Sequence, residues 1–126
     1  MEYPKIDFSH NWNGKLFCNV FTVIRIRDDE RFRLGARFEQ TLKFKPAGIV
    51  EILEIKHFKL NQLTDFMSFI DLGVNRKQAI SIIKTEFTGE YQSEEQQYFS
   101  FILLRRVFSS SDSENTEQTQ LNTSNV

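Results

Sequence analysis

Hydrophobic and polar residues follow two different periods along this 126-residue chain, period two before residue 60 and helical spacing after it. Alternation and β-branched residues predict strands at 18–27, 37–44 and 49–58. Gly35 is suited to the turn in the first connection, and the sequence KPAG at 45–48 predicts the second turn. We therefore expect these three strands to form an antiparallel meander.

Apolar residues between 63 and 87 are spaced at three and four, which predicts two helices. Asn61 is the expected N-cap of the first helix and Gly73 its end, and Asn75 is the expected N-cap of the second. The segment 98–107 is apolar on both faces, as is typical of a strand buried on both sides. This order predicts an α+β fold, a small mixed β-barrel with a two-helix insertion before the last strand.

Composition indicates one domain. With 40% hydrophobic residues and 13 phenylalanines, the chain can fill a single core, which we place at 1–108. Residues 109–126 carry three acids, no base and one leucine, which predicts a disordered acidic tail. The sequence has no run of about 18 apolar residues and no signal-peptide pattern, so we expect a cytoplasmic protein with no membrane segment. One cysteine and two histidines make no spaced ligand set, and we expect neither a metal nor another cofactor.

The net charge of −1 argues against a strongly basic nucleic-acid binder. The body without the tail has 16 basic and 14 acidic residues, and five arginines fall between residues 25 and 37. Alternation places Arg25 and Arg27 on one face of the first strand, as a fork suited to phosphate or carboxylate. Four acids could instead satisfy these arginines within the chain: Asp28, Asp29, Glu30 and Glu51.

The order of elements resembles that of the ASCH group of PUA-like domains. The resemblance is carried by four segments, TVIRIRDDERFRLGARFE, AGIVEILEIKHFKLNQLTDF, FIDLGVNRKQAISII and YFSFILLRR. It implies a small β-barrel with helices packed at one side. It also implies recognition of RNA or a nucleotide in the cleft between the barrel and the helices.

A compact bacterial branch of this family acts as an amidohydrolase on N4-acylated cytidine and uses a lysine, a threonine and an acid. Matching Arg27 to the family's arginine places Thr22 where the lysine belongs and Arg25 where the threonine or glutamate belongs. Asp71 falls at the position of the acid. Lys15 lies outside this spacing. The chain therefore departs from the family's catalytic pattern in the first strand.

The leading hypothesis is a binding module for RNA, a nucleotide or another small anionic ligand, with Arg25, Arg27, Lys15 and Asp71 in the cleft. Trp12 is flanked by two asparagines and is the aromatic residue best suited to stack on a base. An acid close to arginines in a cleft is typical of a functional site.

Two alternatives remain open. One is an amidohydrolase with Thr22 as nucleophile, Asp71 or Lys15 as base and an arginine at the oxyanion. Alternation puts Thr22 on the face opposite Arg25, so this interpretation requires a bulge in the strand. The other is a protein-interaction domain whose acidic tail engages a partner or covers the basic face.

Overall fold

The computed structural model describes residues 3–90, 93 and 95–107. These residues form five strands and two α-helices. Two short 3-10 helices, Trp12–Phe17 and Leu60–Gln62, complete the fold, and we call the first of them the lysine turn. The strands and helices have these bounds: β1 Lys5–Phe8, β2 Val20–Ile26, β3 Arg37–Leu42, β4 Lys45–Lys59, α1 Asp65–Leu72, α2 Arg76–Glu86 and β5 Tyr98–Val107.

The five strands make one curled sheet, a half-barrel, in the order β1-β3-β4-β5-β2. β1 pairs with β3 in parallel, and the other pairs are antiparallel. β1 and β2 are therefore the outer strands, and side chains bridge the open side between them. Arg25 Nη2 on β2 donates to the Asp7 carbonyl on β1 at 2.9 Å, and the rings of Phe8 and Phe21 lie 6.4 Å apart.

Two clusters of buried apolar residues lie on the two faces of this sheet. All five strands contribute to the first, which fills the inside of the curl: Ile6, Phe8, Phe21, Val23, Phe38, Val50, Ile52, Ile102 and Leu104. The second joins the sheet to both helices and includes Ile24, Phe58, Phe99, Leu72, Ala79 and Ile83. Because β5 supplies Phe99 to one cluster and Ile102 to the other, it is buried on both faces, as its sequence predicts.

Several predictions of local structure are confirmed. The fold is α+β, the helix pair lies between β4 and β5, and the last strand has the predicted bounds. Asn75 caps α2 through its side chain, which accepts from the Gln78 amide, and Gly73 ends α1 in the left-handed conformation. The first helix, however, is capped by Thr64 instead of Asn61, because Thr64 Oγ1 accepts from the Met67 amide at 3.1 Å.

The predicted meander is confirmed for the antiparallel pair β3–β4 but wrong for its first strand, because β2 pairs with β5 and not with β3. The alternation of apolar and polar residues in β2 fits pairing with β3 or with β5 equally well. In the structure the doubly buried β5 lies between β4 and β2.

The sheet is a half-barrel, and the described strands do not form the closed barrel that was predicted. Within the described residues, neither helix combines the length and the apolar character that crossing a membrane requires. The domain end at 108 and the tail 109–126 lie outside the described residues.

The predicted turn at 45–48 is also wrong, since these residues belong to β4. The hairpin turn is Lys43–Phe44, which both have positive φ, 51° and 66°, as a two-residue hairpin requires. Contacts with β1 hold this turn: the Lys43 amide donates to the Phe8 carbonyl and the Phe44 amide to Asp7 Oδ1, both at 2.8 Å. β1, a four-residue strand that carries too little periodicity to be predicted, thus supports the hairpin turn in this position.

The C-terminal end of α1 docks on the lysine turn. Asn13 Nδ2 lies 3.4 Å from the carbonyls of Phe69 and Ile70, the last turn of α1. Gly73 has φ 75°, and a Cβ at this position would lie 3.0 Å from Asn13 Oδ1. Gly73 is therefore required both by its backbone conformation and by the close approach of Asn13.

Gly73→Ala is expected to destabilise the protein more than Gly35→Ala, measured as the free energy of unfolding in urea. Gly35 has φ 83° with nothing within 4 Å of a Cβ, so its substitution carries only the backbone strain, about 1–3 kcal/mol. Gly73→Ala carries the same backbone strain and, in addition, a steric conflict between the new Cβ and the Asn13 side chain. In an Asn13→Gly background, Gly73→Ala should cost no more stability than Gly35→Ala does. Equal losses of stability for Gly73→Ala and Gly35→Ala in the wild-type background would contradict the close contact between α1 and the lysine turn.

Candidate functional site

Asp71 lies at the centre of a buried polar contact. Its Oδ1 accepts a hydrogen bond from Lys15 Nζ at 3.0 Å and another from Thr22 Oγ1 at 2.8 Å. The three residues are only 6% (Lys15), 8% (Thr22) and 2% (Asp71) exposed. Three separate parts of the chain meet here, since 56 residues separate Lys15 from Asp71 and 49 separate Thr22 from Asp71.

The lysine turn directs Lys15 inward. Asn13 and Gly14 have φ of 60° and 64°, left-handed values that asparagine and glycine adopt more readily than other residues. Asn11 Oδ1 accepts from the Leu16 amide at 2.9 Å and fixes the end of the turn. The chain thus reverses before Lys15, and the ammonium group meets the last turn of α1.

The Lys15–Asp71 pair lies on the wall of a cavity of about 140 Å³, between the lysine turn, β1, β2 and α2. A cavity of this size holds one ring, since an engineered apolar cavity of about 150 Å³ binds benzene. Further polar and aromatic residues on the wall are Arg25, Trp12, His10, Ser9 and Glu86. The cavity is therefore suited to a single ring-sized group with polar substituents.

Arg25 serves both the sheet and the cavity. Its Nη1 donates to the Ile24 carbonyl at 3.0 Å and its Nη2 to the Asp7 carbonyl at 2.9 Å. The guanidinium lies 4.7 Å from the centre of the Phe8 ring, within the range of a cation–π contact. Since a guanidinium carries five N–H donors and these bonds use two, Arg25 still has donors to offer a ligand.

Burial lowers the pKa of the Lys15 ammonium below the usual 10.5, and the charge and hydrogen bond of Asp71 oppose this only in part. Burial likewise lowers the pKa of the Arg25 guanidinium, which nevertheless stays charged at any physiological pH. Titratable groups perturbed by burial and by a specific partner, gathered at one cavity, are typical of a functional site.

The strand carries Thr22 and Arg25 to this site without a bulge. β2 pairs with β5 in unbroken register from Val20 to Ile26, so the bulge that the amidohydrolase interpretation required is not formed in this strand. Since β2 is an outer strand, the long Arg25 side chain reaches past its free edge toward β1, while Thr22 meets Asp71. Thr22 lies behind Asp71, and the described residues that line the cavity do not include it.

Arg27 lies away from the cavity. Its Nε and Nη2 donate to the two carboxylate oxygens of Asp29, both at 2.9 Å, on the exposed surface. The guanidinium also lies 5.7 Å from the centre of the Tyr98 ring. Arg25 and Arg27 therefore do not form the expected fork for a ligand. Arg27 instead follows the alternative that the sequence left open, pairing with an acid of the same chain, Asp29.

The mouth of the cavity contains residues that were not predicted from the sequence. Glu86, the last residue of α2, accepts a hydrogen bond from Ser9 Oγ at 3.0 Å. The half-buried Trp12 lies beside His10, with 5.1 Å between the ring centres. Trp12 was predicted from its polar flanks. Glu86, Ser9 and His10 had no such signal, because single polar residues in a loop or at a helix end follow no period.

The chain was compared with protein-family models, curated proteins and solved structures, and none of the three comparisons gave a match. Within the described ranges 3–90, 93 and 95–107, no group of three His, Cys, Asp or Glu side chains is arranged to hold a metal ion.

The free energy of unfolding is expected to rise with pH from neutrality to about 10.5, in part through Lys15. The unfolded chain keeps the lysine proton up to this pH, whereas the folded chain releases it earlier. The unfolded state therefore binds more protons in this interval, which makes folding more favourable as pH rises. Urea unfolding across the interval measures the slope.

Lys15→Met should flatten this slope relative to the wild type, whereas Lys77→Met, at an exposed position on α2, should leave it unchanged. Lys15→Met is also expected to lower stability at neutral pH by about 3–5 kcal/mol, because it leaves the buried Asp71 carboxylate without its cation. An identical slope in the wild type and Lys15→Met would contradict the lowered pKa.

Proposed function

We propose that the cavity is the active site of a small amidohydrolase that acts on an N-acylated ring of the N4-acylated cytidine type. The observation that carries this proposal is the buried contact of Lys15, Thr22 and Asp71 beside a ring-sized cavity. These are the residue types that the ASCH resemblance implies, a lysine, a threonine and an acid. Lys15 lies outside the sequence spacing of the family, but in space it reaches the acid.

Lys15 is the proposed general base. Its lowered pKa raises the fraction of neutral amine, which can take a proton from a water molecule beside the acyl carbon. The resulting hydroxide adds to the carbonyl, and the C–N bond then breaks as Lys15 returns the proton to the leaving nitrogen. The products are a carboxylic acid and a free amine. Asp71 positions Lys15, and Thr22 positions Asp71 by donating to the same carboxylate oxygen.

Arg25 is the proposed oxyanion stabiliser. It lines the same cavity as Lys15 and is held in place by two backbone carbonyls, so little reorganisation is needed when charge develops on the substrate oxygen. Its donors that face away from these carbonyls are available to the carbonyl oxygen of the substrate.

The charges of the cavity favour an uncharged substrate. Lys15 pairs with Asp71, and the charge of Arg25 is opposed first by Asp71 and then by Glu86, so two carboxylates offset two cations on the cavity wall. The Asp7 carboxylate faces away, toward Thr41 and the Phe44 amide. A phosphate would therefore meet no net positive charge. We infer that a neutral acylated base or nucleoside suits the site better than RNA, a nucleotide or another anion.

The proposal predicts turnover of N4-acetylcytidine by the wild type, with release of acetate and cytidine. Lys15→Met and Asp71→Asn should lower kcat/KM by about 100-fold or more, the usual contribution of a positioned base. Activity of the wild type should rise with pH as Lys15 loses its proton. Chromatography of the nucleosides measures both.

Arg27→Ala is the matched control, because it removes an arginine of the same strand that pairs outside the cavity, and it should keep wild-type activity. Circular dichroism establishes that each variant is folded. Absence of turnover by the wild type, or equal turnover by folded Lys15→Met, would exclude the hydrolase.

A binding module without catalysis is the second candidate. It is favoured by Trp12 at the mouth of the cavity and by Thr22, which lies behind Asp71 and is not on the cavity wall. In this case the Lys15–Asp71 pair is a fixed donor and acceptor for a ligand ring, and RNA or a nucleotide remains a possible source of that ring.

Trp12 is the single tryptophan of the chain, so its fluorescence should report ligands entering the cavity. Cytidine and N4-acetylcytidine are expected to change this fluorescence saturably, and cytidine 5′-monophosphate should bind no more tightly than cytidine, even at low salt where attraction of the phosphate is strongest. Tighter binding of the monophosphate would favour the anion-binding module over the neutral site.

A further inference from the structure

A second hollow lies at one end of the half-barrel and takes no part in the proposed chemistry. Its volume is about 510 Å³, which is in the range of small-molecule sites. The wall is formed by the lysine turn, the hairpin end of β3 and β4, and the end of β5. Its lining residues are Leu16, Phe17, Leu42, Lys45, Pro46, Ala47 and Arg106.

The lining combines an apolar surface with positive charge. Five of its residues are apolar, two are cations, Lys45 and Arg106, and none of the described lining residues is acidic. Phe17, which lines the hollow, is 82% exposed, so apolar surface is in contact with water here. By contrast, the charges of the first cavity, the proposed active site, are balanced. The second hollow should attract an anion that also has an apolar body.

Arg106 is held firmly in this hollow. Its Nη1 donates to the Ala47 carbonyl at 3.0 Å and its Nη2 to the Leu16 carbonyl at 2.5 Å. Gly48 makes room for the guanidinium, because a Cβ at this position would overlap Arg106 Nη1. A cation fixed by backbone contacts loses little freedom when it binds a ligand.

A buried acceptor without a partner adjoins the same wall. Gln40 Oε1 is the one buried side-chain polar atom, among those that the structure describes, with no hydrogen-bond partner. Gln40 Nε2 donates at 2.7 Å to the Ala47 carbonyl, which also accepts from Arg106. This bond fixes the amide orientation. A buried unpaired acceptor is usually met by a water molecule. A carboxylate has no hydrogen to donate to it, so Gln40 contributes to the hollow by holding the Ala47 carbonyl that fixes Arg106.

We propose that this hollow binds a small carboxylate with an apolar chain. The chain packs on Leu16, Phe17, Leu42 and Pro46, and the carboxylate pairs with Lys45 and Arg106. Leu16 and Phe17 directly follow Lys15 in the lysine turn, so the two sites share one segment of the chain while each is lined by its own residues. The assignment holds whether or not the first cavity is catalytic.

Hexanoate tests the proposal by its effect on the amide resonances of the full chain in 1H–15N NMR spectra. At millimolar concentration hexanoate should shift the amides of Leu16, Phe17, Ala47 and Arg106 saturably, and hexylamine, with the same chain and a positive charge, should not. Lys45→Met should lower the affinity for hexanoate about fivefold, which corresponds to the contribution of one exposed ion pair.

Arg105→Met is the matched control, because Arg105 is the neighbouring arginine on β5 but pairs with Glu51 at 2.9 Å, away from the hollow. It should bind hexanoate as the wild type does. No saturable shift at these amides, equal shifts with hexylamine, or unchanged affinity in Lys45→Met would each overturn the proposal.

Discussion

One carboxylate oxygen, Asp71 Oδ1, joins the lysine turn, the outer strand β2 and helix α1 at a point where almost no water reaches. Taking an ammonium and a carboxylate out of water costs several kcal/mol per ion, and a buried pair often contributes less to stability than apolar side chains of the same volume would. The surrounding apolar clusters must offset this cost. A pair of this kind, on a cavity wall and next to a hydroxyl, is better explained by a functional role than by stability.

The curl of the sheet creates the space for that role. Because β1 and β2 stay unpaired with each other, side chains span the opening, and Arg25 spans it by donating to the Asp7 carbonyl. The helices cover the neighbouring face and leave a cavity between the lysine turn and α2. The group that ties the two outer strands together is thus also a wall of the cavity, so the geometry of the site and the closure of the sheet are coupled.

The two arginines of β2 illustrate how position on a sheet decides the use of a charge. Arg25 and Arg27 alternate to the same face and have identical chemistry, yet one is drawn inward over Phe8 and the other pairs with Asp29 on the surface. Since only Arg25 reaches the cavity, and Glu86 opposes its charge, the site loses the double positive charge that made a phosphate attractive. This is the physical reason why we propose a neutral acylated ring, and not an anion, as the ligand of the cavity.

The sequence by itself determined the features that depend on neighbouring residues: the two helices, the N-cap of α2 at Asn75, the end of α1 at Gly73, the doubly buried strand and the candidacy of Trp12. Asp71 and Thr22 were candidates through the resemblance to the ASCH group. Helical and strand periods and caps act within about four positions, so a single chain reveals them. Only the tertiary structure decided the pairing of β2 with β5, the turn at Lys43–Phe44, the different roles of Arg25 and Arg27, and the approach of Lys15 to Asp71. Each of these joins residues that are far apart in sequence or depends on which neighbours reach the same space. No local pattern carries that information, because many pairings satisfy the same alternation and only packing of the whole chain selects one.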